Sequence, residues 1–425
     1  MGIVLASTDS GHSHLNQWFL VLLAIYCAAA VSSQSVLDAV MVLISLVLVG
    51  FYLKTKSPWR FPRIGIEWAF VGYLAVVVIG FVFNAAADAE WKISLMKFTW
   101  LINLYILILV FQLIRLNTIQ VIKSLSILLL LPTLYSLMSF IRGFDLITGI
   151  ENSRITGLVN SATYHAHGNA VLFIILIGCL YFSYDRLSSL WKVISLVSTI
   201  LLGMSIYLTY TRGIWISIFV SSAIMLFYLD LKKLVKVCVL TIVVFFCALQ
   251  FSSKLQERVQ QTTTLLTSNE ERVSLLKVNL QIWHEYPLFG IGYGENLRRN
   301  REYWDRPEWN KPADYITSHA HNQFINVLST TGVFGFFFFC AFYFYFFYKN
   351  IKLIQISRVE KRTESYAILM TCLWVQLEFF FACFTDVSFE YAKIRALLIL
   401  IWALLAALQA HPQLIDENTK KRALS

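Results

Sequence analysis

Long apolar segments separated by short polar connections run through most of this 425-residue chain. A helix needs about 20 mostly apolar residues to cross the hydrocarbon core of a bilayer, and only helices and closed barrels can span it. The pattern therefore predicts an all-α polytopic integral membrane protein with about twelve transmembrane helices. The predicted spans are residues 17–33, 36–53, 65–83, 93–114, 121–141, 166–184, 190–209, 213–230, 233–250, 323–348, 364–385 and 393–410.

Composition supports a membrane protein and argues against a soluble one. Hydrophobic residues make up 58% of the chain and charged residues 14%, whereas a typical soluble domain is about 25% charged. All seven cysteines fall in or beside apolar segments. This placement predicts buried apolar side chains rather than a disulfide framework or a set of metal ligands.

The basic residues predict which ends of the spans face the cytoplasm. With the N-terminus inside, more than half of the 35 Lys and Arg lie in the short inside connections and in the tail. This is the positive-inside distribution of membrane proteins. It accounts for most of the net charge of +10 without a nucleic acid partner.

One long connection, from about residue 251 to 318, interrupts the alternation of spans and lies outside in this topology. Residues 270–286 predict an amphipathic helix that lies on the membrane surface or covers a cavity. Its predicted apolar face is Val273, Leu276, Leu280 and Trp283. Pro287 ends the helix, and the glycines at 290, 292 and 294 predict a flexible turn.

The spans and this loop divide the chain into four parts. Residues 1–250 hold transmembrane helices 1–9, and residues 251–320 form the large outside loop. Residues 321–410 hold transmembrane helices 10–12, and residues 411–425 form a tail on the inside.

Conspicuous polar side chains gather at the outside ends of the spans. An ionisable residue at a membrane boundary is a candidate functional residue, although a single arginine there often reaches lipid headgroups and a single histidine is often structural. Several together suit a site that binds a diphosphate and moves one proton, because arginine forks hold phosphate oxygens. The set is Arg154, Arg212, Arg272, His319, His321 and Asp386.

Two His-Ala-His sequences place histidines two residues apart, at His165 and His167 and at His319 and His321. Residues at this spacing do not share a helix face. We therefore interpret the first pair as structural and predict no metal pair at either position. No acidic pair with the spacing of metal ligands is evident, so no metal or other cofactor is predicted.

Several of these residues form a recognisable pattern. His321-Asn322 is followed by Gly332 and Gly335, while Tyr210-Thr211-Arg212-Gly213 lies at a span boundary and Arg272 leads into Trp283 and Pro287-Leu288-Phe289-Gly290. In these motifs the chain resembles the O-antigen ligase family, within a superfamily that includes O-antigen polymerases and protein O-oligosaccharyltransferases. The resemblance covers roughly the second half of the chain and the layout of spans, and the first 150 residues add no motif.

The resemblance implies a glycosyltransferase C-type fold in the bacterial inner membrane, with the large loop in the periplasm. It implies transfer of O-antigen polysaccharide from undecaprenyl diphosphate to a sugar hydroxyl of lipid A–core, in lipopolysaccharide biosynthesis and without a metal. By that analogy His321 is the base, Arg212 and Arg272 hold the diphosphate, and Asp386 orients the histidine or the acceptor. The other substrate contacts that we expect are Arg154, His319 and Asn322.

Three other functions fit parts of the pattern. An O-antigen polymerase would use the same donor, and a protein O-oligosaccharyltransferase would transfer to protein. A lipid-linked oligosaccharide transporter belongs to another class, but the chain shows no inverted repeat and its polar groups gather at one face rather than at mid-membrane. The large loop close before His321 favours the ligase layout.

Overall fold

The computed structural model is helical throughout the part of the chain that it describes. It describes residues 10–56, 61–84, 98–147, 149, 151, 154–159, 161–236, 238–239, 250, 256, 268–304, 319–360 and 363–410. Within these ranges β-pairing is limited to one isolated bridge between Phe144 and Glu151. The α-helices are α1 (Ser10–Ala30), α2 (Gln34–Thr55), α3 (Glu67–Asn84), α4 (Thr99–Leu113), α5 (Thr118–Leu128), α6 (Leu130–Arg142), α7 (Ala162–Ser183), α8 (Ser189–Tyr207), α9 (Arg212–Leu229), α10 (Ser268–Glu285), α11 (Asn296–Trp304), α12 (Gln323–Val359), α13 (Thr363–Ala382) and α14 (Ala392–Ala410).

The prediction of a polytopic all-α protein is confirmed. Nine helices among the described residues are long and apolar enough to cross a membrane, with α5 and α6 counted as one span, and α1 and α4 are shorter apolar helices. Eleven of the predicted spans thus have a helix. The predicted span 233–250 lies mostly outside the described residues, so the total of twelve stays a prediction.

Pro132 explains why the fifth span is two helices. Proline has no amide hydrogen to donate, and its ring clashes with the carbonyl four residues earlier. That carbonyl belongs to Leu128, the last residue of α5, and α6 begins two residues later at Leu130.

Helices α7, α13 and α14 form the centre of the bundle. In their most apolar stretches 72%, 72% and 78% of residues are buried, against 28% in α2, α8 and α9, whose apolar faces remain free to meet lipid. Aromatic rings fill the space between α12 and α14, where Phe346 stacks on Trp402 with ring centroids 4.7 Å apart. One end of this core carries the polar cluster described below.

Helix α12 is broken at Gly332, whose φ of 64° and ψ of −169° are not helical. In an unbroken helix the amide of Val333 would bond to the carbonyl of Ser329. Here it donates to the carbonyl of Pro287 at 2.8 Å, and the Ser329 carbonyl accepts from the amide of Ile291 at 3.1 Å. The segment after α10 therefore supplies the hydrogen bonds that the break removes.

Two glycines make this crossing possible. A Cβ on Gly332 would lie 2.3 Å from the backbone of Leu288, and one on Gly290 would lie 2.3 Å from the backbone of Thr330. Both glycines also have positive φ, which side chains with a Cβ adopt at a cost. The turn after α10 was predicted to be flexible, and that was wrong, because hydrogen bonds to α12 hold it in one conformation.

The structure has a helix, α10, where the amphipathic helix of the large loop is predicted, but the row that packs against protein is not the predicted apolar row. Val273 and Leu280 are exposed, whereas a neighbouring row of side chains is buried. That row packs against α11 and the following turn, in a small core of Leu275, Val278, Ile282, Ile291, Tyr303 and Trp304. The sequence contains two apolar rows, and only the position of α11 decides which of them is covered.

Candidate active site

Asp386 occupies a tight turn between α13 and α14. Its amide donates to the carbonyl of Ala382 at 3.1 Å, and its own Oδ1 accepts from the amide of Val387 at 2.8 Å. Only 3% of the side chain is exposed. A buried carboxylate needs polar partners, and the side chains around this turn supply them.

His319 and His321 both face this carboxylate. Asp386 Oδ1 lies 3.6 Å from His319 Nε2 and 3.5 Å from His321 Nδ1, and the two rings are 4.5 Å apart in an edge-to-face arrangement. Their spacing in the sequence had been taken as evidence against such a pair. That argument assumed a helix, but both residues precede α12, and His321 has a left-handed φ of 50°.

The start of α12 is attached directly to the Asp386 turn. The amide of Gln323 donates to the carbonyl of Cys383 at 2.8 Å, and the Gln323 side chain accepts from the amide of Phe389 at 2.9 Å. Asn322 caps the helix by accepting from the amides of Phe324 and Ile325, which satisfies donors that a helix N-terminus leaves free. These contacts set the distance between the two histidines and Asp386.

Asn322 itself is occupied by structural contacts. Besides capping α12, its Nδ2 donates to the carbonyl of Phe384 at 3.2 Å. These two structural contacts account for an asparagine at position 322, whether or not it also contacts a substrate. The predicted contact between Asn322 and a substrate stays a prediction.

Sequence reasoning missed two members of the cluster. The hydroxyl of Tyr391 donates to Asp386 Oδ1 at 2.9 Å and lies 3.2 Å from His319 Nε2. His167 Nε2 lies 3.9 Å from Asp386 Oδ2, and His167 Nδ1 is 2.9 Å from Ser388 Oγ. His167 had been interpreted as structural, and the distance to Asp386 corrects that. Tyr391 stands only five residues after Asp386, and that proximity was the available signal.

His165 has the structural role that was expected for it. The side chain is buried, with Nε2 2.7 Å from Ser205 Oγ and the ring close to Asn169. Gly157 packs against this ring so closely that a Cβ there would lie 2.1 Å from His165 Nδ1. The contacts join the loop before α7 to α8.

Arg212 begins α9 beside the Asp386 turn. A Cβ on the next residue, Gly213, would lie 2.3 Å from Thr385 Oγ1, so the backbone of α9 approaches the turn closely. Arg154 supports the segment that leads into α9, because its Nε donates to the carbonyl of Thr209 at 2.6 Å and its Nη2 to Thr211 Oγ1 at 3.1 Å. The structure thus brings Arg154 to the site through the backbone next to Arg212.

Arg272 reaches the same region from the loop. It lies in the first turns of α10, with an exposed side chain, and its positive charge contributes to the lowered pKa of His319. The structure therefore gathers every candidate residue at one end of the bundle. What each of them does to a substrate stays a prediction.

The electrostatics of the cluster favour a neutral histidine beside a charged carboxylate. Burial lowers the pKa of His319 from 6.5 to about 4, although the neighbouring carboxylate of Asp386 opposes this. Burial alone would raise the pKa of Asp386, but the polar contact with His321 and the neighbouring imidazoles outweigh it and hold that pKa below its ordinary value. At neutral pH His319 is uncharged and Asp386 is a carboxylate.

The cluster also has the donors of a metal site. One ligand atom each from His319, His321 and Asp386 lie within 4.8 Å of one another, and imidazole with carboxylate is a donor set that Zn²⁺ accepts. Spacing along the chain does not indicate this arrangement, because Asp386 is more than 60 residues from the two histidines. The prediction that the protein works without a metal therefore needs a direct test.

A comparison with known protein families matches the segment that carries several of the site residues. Residues 197–340 match the family model described as O-Antigen ligase. The matched segment runs from α8 through the loop helices to the middle of α12, and it contains Arg212, Arg272, His319 and His321, whereas Asp386 lies beyond it. A search of curated proteins finds no match to the chain. Over residues 197–340 the chain is therefore similar to the O-antigen ligase family.

Proposed function

We propose that this protein transfers O-antigen polysaccharide from undecaprenyl diphosphate to a sugar hydroxyl of lipid A–core. The observation that carries the proposal is the buried Asp386 carboxylate between His319 and His321, in a chain whose residues 197–340 match the O-antigen ligase family. The acceptor oxygen attacks the anomeric carbon of the donor, and the bond from that carbon to the diphosphate breaks. The hydroxyl proton passes to the protein, and undecaprenyl diphosphate leaves.

His321 is the base in this reaction. Its Nδ1 is buried and has no hydrogen-bond partner among the described residues, at 3.5 Å from Asp386 Oδ1. A proton on Nδ1 would be attracted by the carboxylate and would leave the lone pair on Nε2 to accept the acceptor proton. The distance exceeds that of a good hydrogen bond, but such contacts often tighten only when substrate is bound.

Arg212 and Arg272 bind the diphosphate and stabilise it as it leaves. Arginine forks hold phosphate oxygens in pairs, and charge stabilisation of the leaving group lowers the barrier of such a transfer. Arg154 serves this pair indirectly, since it bonds to Thr209 and Thr211 in the segment before Arg212. His319 and Asn322 border the space where the acceptor would approach His321.

The polarity of the bundle supports a site on the periplasmic face of the inner membrane. Helix α12 is 37 residues long, with the histidine cluster just before its start and Lys349, Lys352 and Arg358 towards its other end. Basic residues concentrate on the cytoplasmic side, so the cluster belongs on the opposite side. A bundle with a lipid-linked donor site at that side is the layout of a glycosyltransferase C-type enzyme.

The test is transfer by purified protein from a defined lipid-linked donor to lipid A–core. We expect a ligated product in native protein and equal rates with and without a chelator, because the arginines neutralise the diphosphate. Loss of activity after chelation, with recovery on adding Zn²⁺, would show that transfer depends on a metal. Extension of the lipid-linked donor, with lipid A–core unchanged, would identify a polymerase and overturn ligation.

A further inference from the structure

A cavity of about 250 Å³ is lined by Tyr391, the residue whose hydroxyl contacts His319. Its walls come from the end of α1, the start of α2, the start of α7 and the start of α14. The volume is near the lower end of the roughly 300–1,000 Å³ typical of ligand pockets. It therefore has room for one or two sugar rings rather than for a polymer.

The side chains of the cavity match a sugar better than a lipid tail. Tyr164 and Tyr391 provide aromatic surface, with ring centroids 4.0 Å apart. Glu390, Lys393 and Gln34 add an acceptor, a cation and an amide. Apolar ring faces with a few hydrogen-bonding groups around them suit a ligand that has both C–H faces and hydroxyls.

Glu390, in the wall of the cavity, is held by one hydrogen bond. Its Oε2 accepts from the hydroxyl of Tyr293 at 2.6 Å, which fixes the carboxylate in place. Its Oε1 is buried and has no hydrogen-bond partner among the described residues. A buried acceptor without a partner is costly, so the Glu390 carboxylate carries an unmet hydrogen bond at the residue that lines the cavity.

Tyr391 links the cavity to the carboxylate that lies beside the proposed base. Tyr391 lines it, and the hydroxyl of the same residue donates to Asp386 and contacts His319. We infer that this cavity is the subsite for a sugar of the acceptor, next to the sugar whose hydroxyl reacts. The inference rests on the proposed function.

The donor polymer could supply a sugar as well, but the arrangement favours the acceptor. None of Arg154, Arg212 and Arg272 lines the cavity, so its wall holds none of the groups assigned to the lipid diphosphate. The first donor sugar is bonded to that diphosphate and must remain beside it until transfer. We therefore assign a sugar bound against Tyr391 to the acceptor.

The experiment fills the cavity and measures the KM of each substrate separately. Ala392 lines the cavity and is exposed, so Ala392→Phe blocks it without touching the buried cluster. We expect the KM for lipid A–core to rise about tenfold or more, with the KM for the lipid-linked donor unchanged. Glu390→Gln, which keeps an oxygen for Tyr293, should raise the same KM, and it provides a second variant if Ala392→Phe folds poorly.

Ala410→Phe is the matched control, because Ala410 is an exposed alanine at the far end of the same helix. A rise in the donor KM alone, or no change in either KM, would overturn the acceptor subsite. If the native protein transfers nothing, the proposed function fails. Calorimetric binding of soluble core oligosaccharide then decides the subsite: weaker binding to Ala392→Phe supports a sugar site, and equal binding rejects it.

Discussion

At the scale of single residues, Asp386 joins groups that are far apart in the sequence. Its Oδ1 accepts from Tyr391 and lies within 3.6 Å of nitrogens of His319 and His321. Only one of the two histidines has the unpaired Nδ1 directed at this carboxylate. The two imidazoles therefore make different contacts although they are neighbours in the sequence.

We expect His321→Ala to lose about 10²–10⁴-fold in transfer rate, which is the usual contribution of a general base. His319→Gln should lower the transfer rate less, because His319 is not the proposed base and contacts the hydroxyl of Tyr391. His284→Ala is the matched control, because His284 is an exposed histidine on α10. Near-native turnover of purified His321→Ala would show that another group takes the proton, and Asp386 would be tested next.

The pH dependence should separate the two histidines further. Acidification protonates the base, so the native rate should fall as the pH is lowered. Because burial lowers the pKa of His319 to about 4, that side chain is already neutral between about pH 6 and 8. His319→Gln should therefore keep the shape of the native rate profile in this range. A shifted acid limb in that variant would mean that His319 is the group that titrates.

The arginines give a third prediction at this scale. Arg212→Ala and Arg272→Ala should abolish or strongly reduce transfer while the protein still accumulates in the membrane. The Lys variants should rescue poorly, because an ammonium cannot form the two-pronged contact of a guanidinium with phosphate. Arg298→Lys on α11 is a suitable control, since Arg298 already pairs with Glu295 and Glu302. Full activity of both Lys variants would show that a point charge suffices.

At the scale of elements, the crossing of the loop and α12 positions the cluster. Hydrogen bonds from the segment after α10 replace those lost at Gly332, and side chains strengthen the junction. Ser329 Oγ donates to Asn279 Oδ1 at 2.8 Å, and Asn326 Oδ1 accepts from the amide of Ala320 at 3.3 Å. The loop helices are thereby tied to the residues that flank His319 and His321.

Gly332→Ala should therefore lower both thermal stability and activity. A Cβ there meets the backbone of Leu288 at 2.3 Å, and the positive φ adds about 1–3 kcal/mol of strain. Gly50→Ala in α2 is the control, because nothing lies within 4 Å of a Cβ at that position. Melting curves of the purified variants in detergent make the comparison. Equal Tm values for Gly332→Ala and native protein would contradict the close crossing.

At the scale of the whole molecule, the direction of the bundle in the membrane decides whether the cluster can meet a periplasmic substrate. The exposed residues His284 on α10 and Glu360 after α12 lie on connections that the basic residues assign to opposite sides. We expect an impermeant maleimide to label His284→Cys in intact cells and to label Glu360→Cys only after permeabilisation. The protein without an added cysteine is the control for labelling of the native cysteines. The reverse labelling pattern would place the histidine cluster on the cytoplasmic side.

The sequence by itself determined the class of the protein and most of its elements. Apolar length suffices for the spans because it is a local property, and the motif around His321 and Arg212 was sufficient to indicate the family. Tertiary structure alone decided which row of α10 is buried, and that the segment after α10 crosses α12 at Gly332. It also decided that His167 and Tyr391 join Asp386. These contacts connect residues on different elements, and neither periodicity nor spacing contains information about how separate helices pack.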